Sequence, residues 1–408
     1  MSRCVRLGAF VLAIAPALLS QTPLTLQDAV SQALAGHPAL AAAAARKNAA
    51  EGLRKQAGLS PNPRLIVQLE NTRFWGTPGF SYPEDTQTYA YVAQTVETAG
   101  KRGRRVDLAA ENVRSSELGV ELQRRHIASR VAIAYWLAAG SARVRDLLSE
   151  EVASFETLVQ FNRIRVQQGA TPEVDLVRTE VERDRLTTLA GEAAQNAERN
   201  RIALFREMGK TEFPQVEFAD PLEPPKAVEP VDLRQVLDRR IEMMLAREGV
   251  ERARANLRLQ QANARTDPDL QVGYERIGGF DTIYAGAQIP LPIRNRNQGQ
   301  IEAATADIKV AESSVAATEA AIRSELENAR VEFAARQKLL NDTLRPMRDR
   351  ADEVYRIADA AYRETGSDIL RLLDAERTRI ETQTAYTRAL AELQESAVAL
   401  RTAQGDMP

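Results

Sequence analysis

The sequence predicts a mainly α fold with a small β part, and three observations carry that prediction. Long apolar registers repeat every seven residues, two pairs of short alternating strands interrupt them, and the whole plan occurs twice. Composition agrees. Of 408 residues 27% are charged and only 5% aromatic, with Ala, Arg, Glu and Leu abundant, a usage typical of long, closely packed helices.

Residues 1–20 read as a secretory signal peptide: Arg3 and Arg6 form a basic start, and Leu7 to Leu19 an apolar run too short to span a bilayer. The single cysteine, Cys4, falls inside it, so the exported chain is expected to lack disulfides, thiolate metal sites and a catalytic thiol. Without Arg3 and Arg6 the balance is 52 basic to 56 acidic residues, which speaks against nucleic acid as a partner. No later segment is apolar enough for a transmembrane helix, so any membrane crossing must use strands.

The first repeat is expected over 21–211: a helix, strands near 63–70 and 87–96, a long helix 104–168 and a helix 172–208. The second, 231–408, repeats this with a helix 231–266, strands near 268–277 and 282–290, a long helix 297–365 and a helix 367–404. LTLQDAVSQAL (Leu24 to Leu34) matches VDLRQVLDRRI (Val231 to Ile241), and NPRLIVQLE (Asn62 to Glu70) matches DPDLQVGYE (Asp267 to Glu275). Five prolines between Glu212 and Pro230 mark 212–230 as an extended linker.

In the second long helix Ile301, Ile308, Val315 and Ile322 keep a seven-residue spacing, slip by four, and resume at Leu326, Phe333, Leu340, Met347, Val354 and Ala361. The first does the same from Val106, Val113, Val120 and Ile127 to Val131, Ala138, Arg145, Val152, Val159 and Val166. Such registers mark a coiled-coil seam, and the slip a local unwinding. Arg145 breaks the pattern and Pro346 should kink its helix. At about 1.5 Å per residue each long helix spans about 95 Å, with two shorter helices stacked along it.

The strands are RLIVQLE with TYAYVAQTV, and DLQVGYERI with TIYAGAQI, joined by an aromatic turn containing Trp75 in the first pair and by GGFD (Gly278 to Asp281) in the second. Four strands cannot close a membrane barrel, and an open edge cannot sit in lipid. Either the strands form soluble hairpins capping a helical rod or several chains pool them. An exported chain with long rods and hairpins at one end favours pooling.

These features resemble the TolC-type outer-membrane efflux channels. The carriers are the duplication, LTLQDAVSQALAGHPAL (Leu24 to Leu40), with His37 in place of the family's usual Asn, and the turn segments QQGATPEVDLVRTEV (Gln167 to Val181) and RETGSDILRLLDAERTRI (Arg363 to Ile380). PLPIRNRNQGQI (Pro290 to Ile301) is most similar to the heavy-metal-resistance branch. The resemblance implies a homotrimer with a trimeric α-barrel and a 12-stranded transmembrane β-barrel, four strands per chain. It also implies a long periplasmic extension docking a periplasmic adaptor and an inner-membrane pump of the resistance-nodulation-division type. Such a protein is a passive exit duct, not an enzyme, and needs no cofactor. Metal cations are one implied cargo; multidrug efflux and type I secretion are alternatives within the family, and a periplasmic scaffold or adaptor without a barrel is the alternative outside it.

Individual residues follow. Gly169 and Gly366 sit in helix–helix turns where positive φ suits glycine; the resemblance places them, with Thr171 and Ser367, at an adaptor-docking tip. It places Asp374 at a periplasmic aperture, where three like charges would hold a constriction. Arg371 stands where relatives have an acid, so a mixed Arg/Asp latch is open; Asp175 and Arg178 occupy similar places after the first turn. Pro290, Pro292, Arg294 and Arg296, and in the first copy Gly100 and Gly103, are expected where strand becomes helix at the membrane boundary, beside outer-membrane lipid or neighbouring chains. His37 and His126 lack the companions of a transition-metal site, and no phosphate loop or nucleophile motif is present.

Overall fold

The computed structural model describes residues 22–72, 79–365 and 368–407. The signal-peptide segment, Cys4, Trp75, Gly366 and Ser367 lie outside the described residues.

Strand β1 (Thr22–Leu24) leads into helix α1 (Leu26–Gly36), capped by the Thr25 hydroxyl accepting from the Asp28 amide at 3.0 Å. Helix α2 (Pro38–Ala57) follows after one extended residue. That residue, His37, closes α1 and opens α2, its Nδ1 accepting from the Ala39 amide at 3.0 Å while Pro38 occupies the first helical turn. Strand β2 (Arg64–Glu70), a one-turn helix α3 (Tyr82–Asp85) and β3 (Gln87–Thr95) come next. The 67-residue α4 (Lys101–Gln167) and α5 (Glu173–Glu207) then run antiparallel. Beyond the third small strand pairing partner, β4 (Val216–Phe218), come α6 (Leu233–Arg239), α7 (Ile241–Asn263), β5 (Asp269–Ile277), β6 (Phe280–Gln288), α8 (Gln298–Lys338), a π turn, α9 (Arg345–Thr365) and α10 (Ile369–Ala403).

The helices form a layer one helix thick. Nearest the larger sheet the order is α2, α4, α7, α8; farther away it is α5, α4, α10, α9. At 1.5 Å per residue α4 is about 100 Å long, and it serves as the spine that α2 flanks along one half and α5 along the other. Where those halves meet, Ile127, Val131, Ala132 and Tyr135 of α4 pack with Ala29 and Val30 of α1 and Leu204, Phe205 and Met208 of α5. A second core joins Val236 and Met243 to Ile322, Leu326 and Phe333 of α8 and Leu393 and Leu400 of α10.

Four sequence expectations need correction. The helix expected over 231–266 is two helices, because Arg240 adopts an extended backbone at the point that His37 occupies in the first half. The turn between β5 and β6 is Gly278–Gly279 alone, both at positive φ, and Phe280 already pairs with Ile277; two such residues suit a tight hairpin. The 212–230 segment is anchored, not merely extended. Its β4 pairs in parallel with β1, and Asp220 accepts from the Tyr135 hydroxyl at 2.7 Å and the Leu26 amide at 2.6 Å. The long seam also fails after Leu340. Pro346 lacks the N–H that an α-helical ladder needs, and the widened turn Leu339–Leu344 precedes it. That turn rotates the following helix, so Met347 and Val354 are exposed while Ala351 and Tyr362 are buried.

Candidate channel wall, aperture and membrane boundary

The larger sheet is antiparallel in the order β2, β3, β5, β6, so hairpins from the two halves meet at β3 and β5. Because side chains alternate across a strand, the register sorts them into two faces. Leu65, Val67 and Leu69 lie level with Val92, Ala90 and Thr88; these align with Val272, Tyr274 and Arg276, and Leu270, Val272 and Tyr274 with Ala287, Ala285 and Ile283. Apart from Thr88 and Arg276 at one end, this face is apolar and open: Leu65 is 73% and Ile283 84% exposed. The opposite face carries Arg64, Gln68, Glu70, Tyr89, Tyr91, Thr95, Asp269, Gln271, Glu275, Tyr284 and Gln288.

The polar face is internally bonded. Arg64 pairs with Asp269 at 2.7 Å, and the Tyr284 hydroxyl donates to Gln271 at 2.9 Å. Gly273 lies between Tyr91 and Tyr284 across the sheet, and those rings meet with centroids 4.9 Å apart. A Cβ at Gly273 would collide with the backbone of Ala90 and Tyr91. An apolar face opposite a hydrogen-bonded polar face is the pattern of a strand with lipid on one side and water on the other.

At the strand-to-helix crossings, both long helices begin from a left-handed residue: Gly100 at φ 68° before α4 and Asn297 at φ 60° before α8. Gly103 is not part of either crossing backbone. It is an ordinary exposed residue in the first turn of α4, which begins at Lys101 and not at 104. Asp267 organises the first crossing, accepting from Lys101 Nζ at 2.7 Å and the Thr98 amide at 2.7 Å, and these contacts hold its carboxyl below the usual range against the opposing effect of burial. At the second, Asn297 Nδ2 donates to the Gln260 carbonyl at 2.8 Å, fastening α8 to α7. Pro290 and Pro292 lie just beyond Gln288, the last paired residue of β6.

At the far end, Gly169 has φ +70°, and the Ala170 amide donates to the Arg165 carbonyl at 2.9 Å, closing α4. Thr171 and Pro172 then lead into α5, whose first turn holds Asp175, 3.8 Å from Arg178. Arg371 and Asp374 are both exposed, one turn apart at the start of α10, and they form no ion pair with each other or with any described residue. The structure thus brings Asp175 to Arg178 but leaves the Arg371 and Asp374 side chains without an ion-pair partner among the described residues.

Sequence reasoning missed two buried polar clusters nearby. The Tyr362 hydroxyl of α9 donates to Asn162 of α4 at 2.5 Å, and Asn162 Nδ2 donates to Thr179 of α5 at 3.0 Å. Farther from the tip, Arg379 of α10 lies between Glu151 of α4, at 2.5 Å, and Glu376, at 2.6 Å, with its guanidinium 4.4 Å from the Tyr355 ring of α9. Burial pushes the Glu376 carboxyl up to about 7; Arg379 opposes this and Glu151 adds to it. A buried polar residue on an apolar helix face was the only available signal.

The comparisons with known proteins accord with this geometry. The family described as outer membrane efflux protein matches residues 29–210. Over those residues the chain is similar to TolC-type outer membrane efflux proteins. It is an outer membrane efflux channel, located in the outer membrane. It is 24% identical over 395 residues to the cobalt-zinc-cadmium resistance protein CzcC of Cupriavidus metallidurans, covering 93% of this chain and 89% of that one. Among solved structures, a membrane protein from Pseudomonas aeruginosa aligns over 98% of this chain and 100% of its own, with 18% identity and a TM-score of 0.79. The open-state MtrE outer membrane channel of Neisseria gonorrhoeae aligns over 93% and 89%, with 18% identity and a TM-score of 0.78.

Proposed function

We propose that three copies of this chain form the exit duct of a tripartite efflux system, receiving cargo from a periplasmic adaptor and a resistance-nodulation-division pump and passing it out without chemistry of its own. The observation that carries this reading is the two-faced sheet with unpaired β2 and β6 edges. One chain offers four strands and two open edges, which lipid does not tolerate; three copies joined β6 to β2 give a closed 12-stranded barrel. The helical layer supports the same assembly. Its flanks carry exposed apolar side chains, Val331, Val354 and Ile357 on α8 and α9, and Val174, Val177 and Val181 on α5, which adjoining copies would cover. The two halves, with helices broken at His37 and Arg240, read as copies of one ancestral unit.

Cargo is proposed as divalent metal cations, on the likeness to CzcC. In the trimer Asp374 and Arg371 would face one another around the distal aperture, and the turn at Gly169 and Thr171, with the Gly366 and Ser367 turn, would receive the adaptor. The test is a deletion strain challenged with cobalt, zinc, cadmium and nickel, and separately with dyes and antibiotics. Lost metal tolerance, restored by the intact gene, is the expected result. Sensitivity to drugs alone would reject the metal cargo, and recovery of the protein as a soluble periplasmic monomer would reject the duct.

A further inference from the structure

The two strand-to-helix crossings share a backbone plan and differ in charge. At the first, Lys101 pairs with Asp267 at 2.7 Å, Arg104 with Asp107 at 3.5 Å, and Arg105 with both oxygens of Glu97. Three of the four basic residues there are thus neutralised within the chain; Arg102, exposed, donates to the Ser60 hydroxyl at 3.3 Å and forms no ion pair with a described residue. At the second, Arg294 and Arg296 are exposed and neither forms an ion pair with any described residue. The single side-chain bond among them runs from Arg296 Nε to the Pro292 carbonyl at 3.2 Å, which leaves that guanidinium's charge unopposed.

The segment before these arginines is unusual as well. Ile289, Leu291 and Ile293 alternate with Pro290 and Pro292 past the end of the ladder, and they are 56%, 73% and 72% exposed. They follow Ile283, Ala285 and Ala287, the β6 residues of the apolar face, at the same two-residue spacing. The prolines deny this overhang the amides it would need to pair with another strand. Apolar side chains continuous with a lipid-facing surface, ending at two unneutralised guanidiniums, match a phospholipid: acyl chain against the first, phosphate against the second.

We propose that Ile289–Arg296 is a binding site for anionic phospholipid in the inner leaflet of the outer membrane, and that the first crossing, where Lys101, Arg104 and Arg105 are neutralised internally and no exposed apolar overhang adjoins them, is not. Arg294 and Arg296 bind the headgroup phosphate, which in an anionic lipid has no ammonium of its own to offset it, while Ile289, Leu291 and Ile293 lie along the acyl chain. This rests on the membrane-barrel reading above. A cation beside an anionic membrane surface gains about a fivefold preference per residue, so two arginines should give a preference of roughly twenty-five-fold over a zwitterionic lipid.

The experiment uses the full chain reconstituted into vesicles of phosphatidylcholine containing phosphatidylglycerol as a minor component. Lipid retained on the protein after extraction is then identified by native mass spectrometry. The wild type should retain phosphatidylglycerol far above its share of the vesicle, and R294Q/R296Q should retain lipid in the vesicle's own proportion. R294K/R296K should keep most of the preference, and R104Q, at the first crossing, should keep all of it. Bulk lipid proportions on the wild type, or an unchanged preference in R294Q/R296Q, would overturn the site while leaving the barrel standing. Loss of trimers by R294Q/R296Q equally in both lipids would assign the arginines to a neighbouring copy instead. Failure of the wild type to float with these vesicles would remove the barrel reading, and the site with it.

Discussion

Substituting Glu376 by Gln should abolish a pH dependence that the wild type carries where α10 meets α4. The guanidinium of Arg379 serves two carboxylates there. Glu376 is 4% exposed and Glu151 9%, and Tyr355 and Asp359 of α9 face the same cluster. One cation for two buried anions leaves an excess charge, and Glu376 is the group driven toward the neutral form, from 4.5 to about 7. A carboxyl with a raised folded value binds more protons folded than unfolded between those limits, so stability falls as pH rises through that window. Below about pH 4.5 the cluster has its full stability; above about pH 7 it has lost about 3 kcal/mol, at 1.36 kcal/mol per unit.

Gln keeps the shape and an acceptor for Arg379 but carries no charge, so E376Q leaves one guanidinium facing the single carboxylate of Glu151. Glu248 and Glu395 are also pushed up to about 7, mainly by burial, and they add similar slopes elsewhere, so whole-molecule melting would blur the answer. Hydrogen exchange followed on peptides covering 369–384, corrected for intrinsic rate, isolates the local opening. Wild-type protection should fall by roughly two orders of magnitude between pH 5 and pH 8, while that of E376Q stays level and overtakes it at pH 8. R379Q should open further at pH 8, since removing one partner of a buried pair costs about 3–5 kcal/mol. An E376Q slope equal to the wild type's would refute the assignment of the charge to Glu376.

Other expectations follow from close contacts and exposed faces. A Cβ at Gly140 of α4 would overlap that of Ala391 on α10, so G140A should destabilise the chain by about 1–3 kcal/mol, read as a lower melting temperature. I283R, on the apolar sheet face, should cut the yield of outer-membrane trimer at a cost of about 2–4 kcal/mol per chain, whereas Q271R on the opposite face should insert normally and change single-channel conductance. G169V, at φ +70°, should cost about 1–2 kcal/mol and abolish export while trimers still assemble; surviving export would separate that turn from the adaptor. Y362F removes one donor from the Asn162 bond and should raise the leak through the reconstituted channel, and an unchanged leak would make that bond purely structural.

Much of the layout was legible because it rests on period and punctuation. Ile322, Leu326, Phe333 and Leu340 keep their register in the buried core because a seven-residue repeat is a local property of one helix. The same reasoning went astray at Met347 and Val354, where a non-local outcome decided. Pro346 announced a disturbance, but the sequence does not say whether a helix kinks or widens, and only widening rotates the seam. Asp220 was hidden for a related reason. In a proline-rich run it reads as solvent-facing, and its value as acceptor for Tyr135 and Leu26 exists only once α1 and α4 have met.

The two strand-to-helix crossings show where sequence and structure contribute differently. Basic residues after a strand end are visible in both halves, at Lys101 to Arg105 and at Arg294 and Arg296, and composition treats them alike. Only the folded structure reveals that Asp267, Glu97 and Asp107 pair with Lys101, Arg105 and Arg104 of the first group, leaving Arg102 aside, while the second is left without carboxylates. Asp267 stands at the α7–β5 junction, in the other half of the chain from Lys101, so their pairing depends on β3 lying beside β5. If the halves began as identical units, they have since diverged in charge: one crossing binds the two halves together, and the other is free to meet lipid. Replacing Asp267 by Asn tests this division. It strips Lys101 of its charged partner and leaves it the Arg265 carbonyl at 2.6 Å, so it should loosen the β3–β5 seam by about 1–3 kcal/mol. The anionic-lipid preference at Arg294 and Arg296 should be untouched. A variant that lost both would show the crossings to be one coupled structure, contrary to the charge separation seen here.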